Sequence, residues 1–214
     1  MTKDERQTIK VEVTTRVVDW LMRKQIRLFP ENVVTVLPEL DLMEAERIAG
    51  QVKNAVGAHC DTIEVAGRLR RRKTTVHDID FVVVAKSDAE WQKVSEELKR
   101  MRAKLSCSGS SVIRALLPIK NGLLQVDFYR AKPLTFGVHL LIRTGSADHN
   151  MWLAGYAISR GMRLKYSEGM IRDDTVIAGE NEKGVFEALG LPYPSPSERE
   201  MVEYKPVWMA LQKP

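Results

Sequence analysis

The chain has 214 residues, 44% hydrophobic and 29% charged, enough to bury a core as one compact domain or as a larger domain with a small appendage. Its 33 Lys and Arg against 28 Asp and Glu give a net charge of +5 and a pI near 9.2, which suits a polyanionic partner without requiring one. Two distant cysteines, a charged start (MTKDERQTIK) and no apolar run near ~18 residues argue against a disulfide scaffold, a signal peptide and a membrane span. A soluble intracellular protein is expected, in cytoplasm or in a eukaryotic nucleus.

From Ile9, apolar residues recur at Val13, Val17 and Leu21, which predicts an amphipathic helix; Pro30 and Pro38 then punctuate a linker. Residues 1–41 are read as this helix and linker. A second helix is predicted over Leu42–Val56, with Ile48, Val52 and Val56 on one face and Gly57 as its stop. A short strand over 62–66 leads into the basic turn GRLRRRKTTVH, and the β-branched stretch 79–85 suits a buried strand. Ser87 or Asp88 can cap a helix reaching Lys104. Strands over 111–119 and 123–130 pair around Lys120-Asn121-Gly122. A helix over 136–142 meets the break Thr144-Gly145-Ser146, another runs to Arg160 and closes at Gly161, and a last one covers 182–189 before the tail LPYPSP. The pattern reads as α+β, a sheet domain over 42–132 followed by a smaller domain over 133–214.

In HDID, Asp78 and Asp80 flank Ile79 at the entrance of a strand. Residues i and i+2 share a face, so the two carboxylates point one way, about 7 Å apart, while Ile79 points into the core. Such carboxylates repel unless a cation sits between them, and hard oxygen-binding ions such as Mg²⁺ supply that charge. In LLQVDFY, alternation puts Gln125, Asp127 and Tyr129 on one face. If this strand lies beside the first, three acids converge, and two ions ~4 Å apart could clamp a phosphoryl displacement. An isolated Asp-x-Asp is commonly a solvated strand end, and a charge run beside acids is commonly surface pairing. Together they are more specific: a turn of guanidinium groups and backbone N–H donors beside a metal cluster suits a triphosphate, with Gly67 permitting close backbone approach.

Gly-x-x-Arg-Arg followed by Asp-x-Asp resembles the nucleotidyltransferase signature of DNA polymerase family X, and the similarity continues through QVDFYR and TGSADHN to LGLPYPSPSERE, roughly residues 42 to 200. The resemblance implies a palm with a mixed sheet flanked by helices over 42–132, then a small α+β thumb-like domain over 133–214. It implies that Asp78, Asp80 and Asp127 hold two Mg²⁺ ions, with Mn²⁺ as substitute, and that Asp127 accepts the primer hydroxyl's proton. It places the triphosphate near Gly67, Arg68 and Arg71, the sugar near Thr144 and Gly145, and the base's minor-groove edge near Asn150. The reaction implied is attack of a DNA primer's 3′-hydroxyl on the α-phosphate of a dNTP, or of an NTP, in gap filling or end extension during repair.

Several positions depart from the family pattern. Arg68 stands where a small residue is common. His77 replaces a frequent glycine, as in the branch with DNA polymerase mu and terminal deoxynucleotidyl transferase, where a histidine helps position primer end and nucleotide. Ile142 and Arg143 replace a Tyr-Phe pair, and Ala147 and Ala154 replace polar or basic residues, which relaxes the expected sugar and template requirement. His77, Arg143 and Trp152 are the candidates for DNA contact, Trp152 with helix packing as its competing role. No hairpin motif or lyase lysine is evident before residue 42, so a minimal palm-plus-thumb form without lyase activity is expected. A nucleotidyltransferase acting on RNA ends or a small-molecule acceptor is the first alternative, a non-catalytic DNA-binding scaffold the second.

Overall fold

The computed structural model describes Ile26–Leu28, Val34–Val36 and residues 38–120 and 122–200. In chain order its elements are β1 (Ile26–Leu28), β2 (Val34–Val36), β3 (Leu40–Asp41), α1 (Leu42–Val56), β4 (Cys60–Val65), α2 (Gly67–Arg70), β5 (Thr75–Val76) and β6 (Asp78–Ala85). There follow α3 (Asp88–Arg100), β7 (Lys104–Ser108), β8 (Val112–Ile119), β9 (Gly122–Arg130), α4 (Phe136–Thr144), α5 (Ala147–Ser159), β10 (Met162–Lys165), β11 (Gly169–Arg172), β12 (Thr175–Ala178) and α6 (Glu182–Ala188). The architecture is α+β, with a mixed sheet flanked by helices.

That sheet runs β4-β6-β9-β8-β7, with β6 and β9 parallel and the other neighbours antiparallel. Alternation along β6 and β9 sends Ile79, Phe81, Val83, Val126 and Phe128 to one face, where they pack with Ile48, Val52 and Val56 of α1 and Trp91, Val94 and Leu98 of α3. Phe81 stacks on Phe128 at 4.9 Å between centroids. Each helix starts at a cap: the side chain of Asp41 accepts from Glu44 N, and that of Ser87 from Glu90 N. The opposite face carries Val82 and Val84, covered by Ala131 and by Leu140 of α4. A second apolar cluster joins α4, α5 and α6 to Met162 and Met170 of the three-stranded sheet β10-β11-β12.

Several expectations shift. The helix expected from Ile9 lies outside the described residues, as does Asn121. The stretch read as linker contains β1 and β2, paired antiparallel from Ile26↔Val36 to Leu28↔Val34. Gly57 closes α1 as expected, but in a right-handed conformation, φ −58°, from which the chain tightens into a 3₁₀ turn over Gly57–His59. α3 stops at Arg100, because Arg102 takes φ +63° and Lys104 already starts β7. No helix among the described residues is long and apolar enough to cross a membrane.

Candidate functional site

β6 and β9 run in parallel register with Asp78 opposite Gln125 and Asp80 opposite Asp127. Residues opposite one another share a face, so the pleat sets all three acids on the face away from the Phe81–Phe128 stack. Asp127 is only 2% exposed, whereas Asp78 and Asp80 are half-buried. A carboxylate buried that deeply requires compensation. Arg114, opposite Asp127 on β8, provides it: Nε lies 2.8 Å from Oδ1 and Nη2 2.7 Å from Oδ2. Gln125 Nε2 donates to Oδ1 at 3.0 Å and the Tyr129 hydroxyl to Oδ2 at 3.1 Å. Burial, then the charges of Asp80 and Asp127, push the Tyr129 phenol up, so it stays a neutral donor.

The basic turn lies against these acids. Gly67 has φ +60°, and a Cβ there would run into Asp80 Oδ2, so only glycine lets the chain pass so close. The Ala66 N–H donates to the Asp80 carbonyl at 2.8 Å. The cations that follow all have protein partners. Arg68 folds back on Thr75, with Nε 2.9 Å from its carbonyl. Arg70 donates to Thr144 Oγ1 at 2.7 Å and forks onto Glu182 at 2.8 and 2.7 Å. Arg71 donates through Nε to Glu200 at 2.9 Å and through Nη1 to the carbonyls of Thr144 and Gly145. Arg72 pairs with Glu46 and Lys73 with Glu200.

Beyond the turn, Thr144 is fully buried at the end of α4, and Gly145 makes the sharp exit at φ −35°, ψ −175°. Asn150 Nδ2 donates to the Ile142 carbonyl at 2.6 Å, and its side chain fills the space that a Cβ on Gly145 would need. Arg143 lies 3.6 Å over the Tyr129 ring, which joins α4 to the acid face through the residue that donates to Asp127. His77 Nδ1 is buried with no hydrogen-bond partner. Trp152 packs against the second apolar cluster, its ring 5.6 Å from Tyr156 and 6.3 Å from His149.

The structure therefore sets Asp78, Asp80 and Asp127 on one face of the sheet with Gly67 against Asp80, joins Arg143 to Asp127 through Tyr129, and ties Arg71 to Thr144 and Gly145. It turns Arg68 toward Thr75 and sets Trp152 among packing aromatics. Sequence reasoning missed Arg114, Tyr129 and the network around Glu182, which takes Arg70, the fully buried Arg199 at 2.6 Å and the Tyr193 hydroxyl at 2.9 Å. A lone arginine inside the apolar strand VIRALLPI was a usable signal for Arg114, since a cation there needs a partner. Nothing local marks Glu182.

A family model described as the DNA polymerase beta thumb matches residues 139–200. DNA polymerase/3′-5′ exonuclease PolX of Bacillus subtilis is 28% identical over 159 residues, which are 73% of this chain and 28% of that protein. DNA polymerase IV of Saccharomyces cerevisiae is 31% identical over 75 residues, 35% of this chain and 13% of that protein. Over these stretches the chain is similar to family X DNA polymerases. It spans less than a third of either curated relative. Thr144, Gly145, Asn150, Glu182 and Arg199 fall within the thumb match, and all three acids precede it.

Hard carboxylate donors at neighbouring register positions fit Mg²⁺ or Mn²⁺ in chemistry. Gly67, glycine where any Cβ would strike Asp80, keeps that carboxylate's surroundings open to close approach. With Arg114 in place the oxygens of Asp127 are taken, and among the described residues no three His, Cys, Asp or Glu side chains form a group that could hold an ion.

Proposed function

We propose that this chain catalyses DNA-directed nucleotidyl transfer, filling short gaps or extending ends in DNA repair. The observation that carries this reading is the direct opposition of Asp80 and Asp127, with Asp78 on the same face and the Gly67 turn against Asp80. The thumb match and the two polymerase relatives support it. Residues 42–132 serve as the palm and 133–214 as the thumb, a division favoured by the separate apolar clusters on either side.

Asp78, Asp80 and Asp127 would hold the divalent ions, which when bound neutralise charge on the attacking and leaving oxygens. Asp127 takes the proton of the primer 3′-hydroxyl. The 3′-oxygen forms its bond to the α-phosphorus as the bond to pyrophosphate breaks, so one phosphodiester is made for each pyrophosphate released. The Thr144–Gly145 turn, fixed by Arg71 and Asn150, faces the sugar, and the absence of a Tyr-Phe pair at Ile142-Arg143 favours relaxed choice between dNTP and NTP. His77, next to Asp78 at the start of β6, would help position the primer end or the nucleotide.

Primer extension on gapped, recessed and single-stranded DNA, with Mg²⁺, Mn²⁺ or EDTA, tests the reading. Metal-dependent products that disappear in Asp127→Asn, with DNA binding retained, are expected. Normal extension by Asp127→Asn would overturn the mechanism, and labelling of RNA ends or small acceptors alone would overturn the choice of DNA.

A further inference from the structure

The carboxylate that the proposed reaction needs for a divalent ion is already occupied by a side chain of the same protein. We propose that Arg114 is a resident cation at Asp127, and that a divalent ion binds there by displacing its guanidinium. This rests on the reading of Asp78, Asp80 and Asp127 as an ion site and adds how that site is guarded.

The Asp127 side chain is 3% exposed, so water cannot compensate its charge when no ion is present. Arg114 supplies compensation with Nε and Nη2, while Gln125 and Tyr129 take what remains of the acceptor capacity. An incoming ion therefore meets a carboxylate with no open lone pair and a guanidinium of like charge beside it. The two partners differ in freedom. Arg114 is 39% exposed and can swing into solvent, whereas Asp127 is enclosed and held from two further sides by Gln125 and Tyr129. Tyr129 is itself fixed beneath Arg143. Departure of Arg114 thus leaves a carboxylate still aimed by its neutral donors and relieved of its competitor. Arg114 acts through Asp127 and is a positioning residue, one that lets the buried acid persist without metal and weakens the ion's hold.

The test uses the full chain without DNA or nucleotide and Mn²⁺ alone as probe, with bound metal read by electron paramagnetic resonance and melting followed in EDTA and in Mn²⁺. Arg114→Leu is expected to bind Mn²⁺ about tenfold more tightly than wild type, the scale of one lost hydrogen bond to a charged group. It is also expected to melt lower than wild type in EDTA and to recover more with Mn²⁺. The gain should vanish when Asp127→Asn is added. Should Arg114→Leu fail to fold, Arg114→Gln keeps a donor and is expected to show a smaller gain of the same sign. If wild type binds Mn²⁺ and the Arg114 variants bind it equally or more weakly, the displacement proposal falls and the ion site stands. If neither wild type nor variants bind Mn²⁺, the ion site falls and the proposal with it. A merely structural Arg114 would lower the melting temperature without tightening the metal.

Discussion

Replacing Glu182 with Gln probes the charge network that joins the basic turn to the second apolar cluster. The Glu182 carboxylate is 6% exposed and receives a fork from Arg70 and a bond from the fully buried Arg199. Burial pushes its carboxyl up, but the hydrogen bonds and charges of Arg70 and Arg199 outweigh that and hold it at about 2, against an ordinary 4.5. At about 1.4 kcal/mol for each tenfold change in proton affinity, that depression contributes on the order of 3 kcal/mol. Because the folded pKa is depressed, this stability is present above pH 4.5 and is lost as pH falls toward 2. Glu182→Gln removes the charge and leaves Arg199 buried beside an amide, so it should cost about 3–5 kcal/mol at pH 7. Urea unfolding of both proteins from pH 7 to pH 2 measures the difference, which should narrow between pH 4.5 and 2 as wild-type Glu182 protonates. A difference below about 1 kcal/mol at pH 7, or one that does not change on acidification, would refute the reasoning.

Gly137→Ala should destabilise by about 1–3 kcal/mol in the same assay, because the new methyl would collide with the Asn181 backbone where α4 meets the start of α6. Little change would mean that α4 can slide. Arg143→Ala removes the cation from the Tyr129 ring and should lower stability by about 1–2 kcal/mol; a double-mutant cycle with Tyr129→Leu checks whether the loss belongs to that pair. His149 is fully buried, and burial, followed by the Arg199 charge, holds its ring down at about 4. Proton NMR should find it neutral above pH 5; since its folded value lies below 6.5, its protonation erodes stability as pH falls from 6.5 toward 4.

Much of this was legible because it is local. The four-residue step of Ile48, Val52 and Val56 gave α1 its buried face, Ser87 or Asp88 marked the start of α3, with Ser87 proving to be the cap, and the i, i+2 spacing of Asp78 and Asp80 set their common face. β7 escaped because KLSCS, on the sheet edge and mostly exposed, has no buried alternation to show. The helix before it was drawn too long because KRMRAK has ordinary helix formers, and only the left-handed turn at Arg102 ends it. The convergence of Asp80 with Asp127 depended on strand order, which spacing alone does not give. Arg70 and Glu182 stand 112 residues apart, and no window of sequence pairs them. Arg68 could be read as a phosphate ligand because its bond to Thr75 forms only once the turn has folded.

The carboxylates facing the basic turn bear on how a polyanion would sense ionic strength there. The salt dependence of nucleic-acid binding counts the phosphates that cations neutralise, because each neutralised phosphate releases condensed counterions. A phosphate that takes Arg71 or Lys73 from Glu200 leaves a carboxylate to be neutralised anew by ions from solution. Such an exchange returns to the protein much of what it liberates from the nucleic acid. The slope of affinity against salt would then be set mainly by arginines and lysines without an acidic neighbour, and it would be shallower than the five cations of GRLRRRK imply.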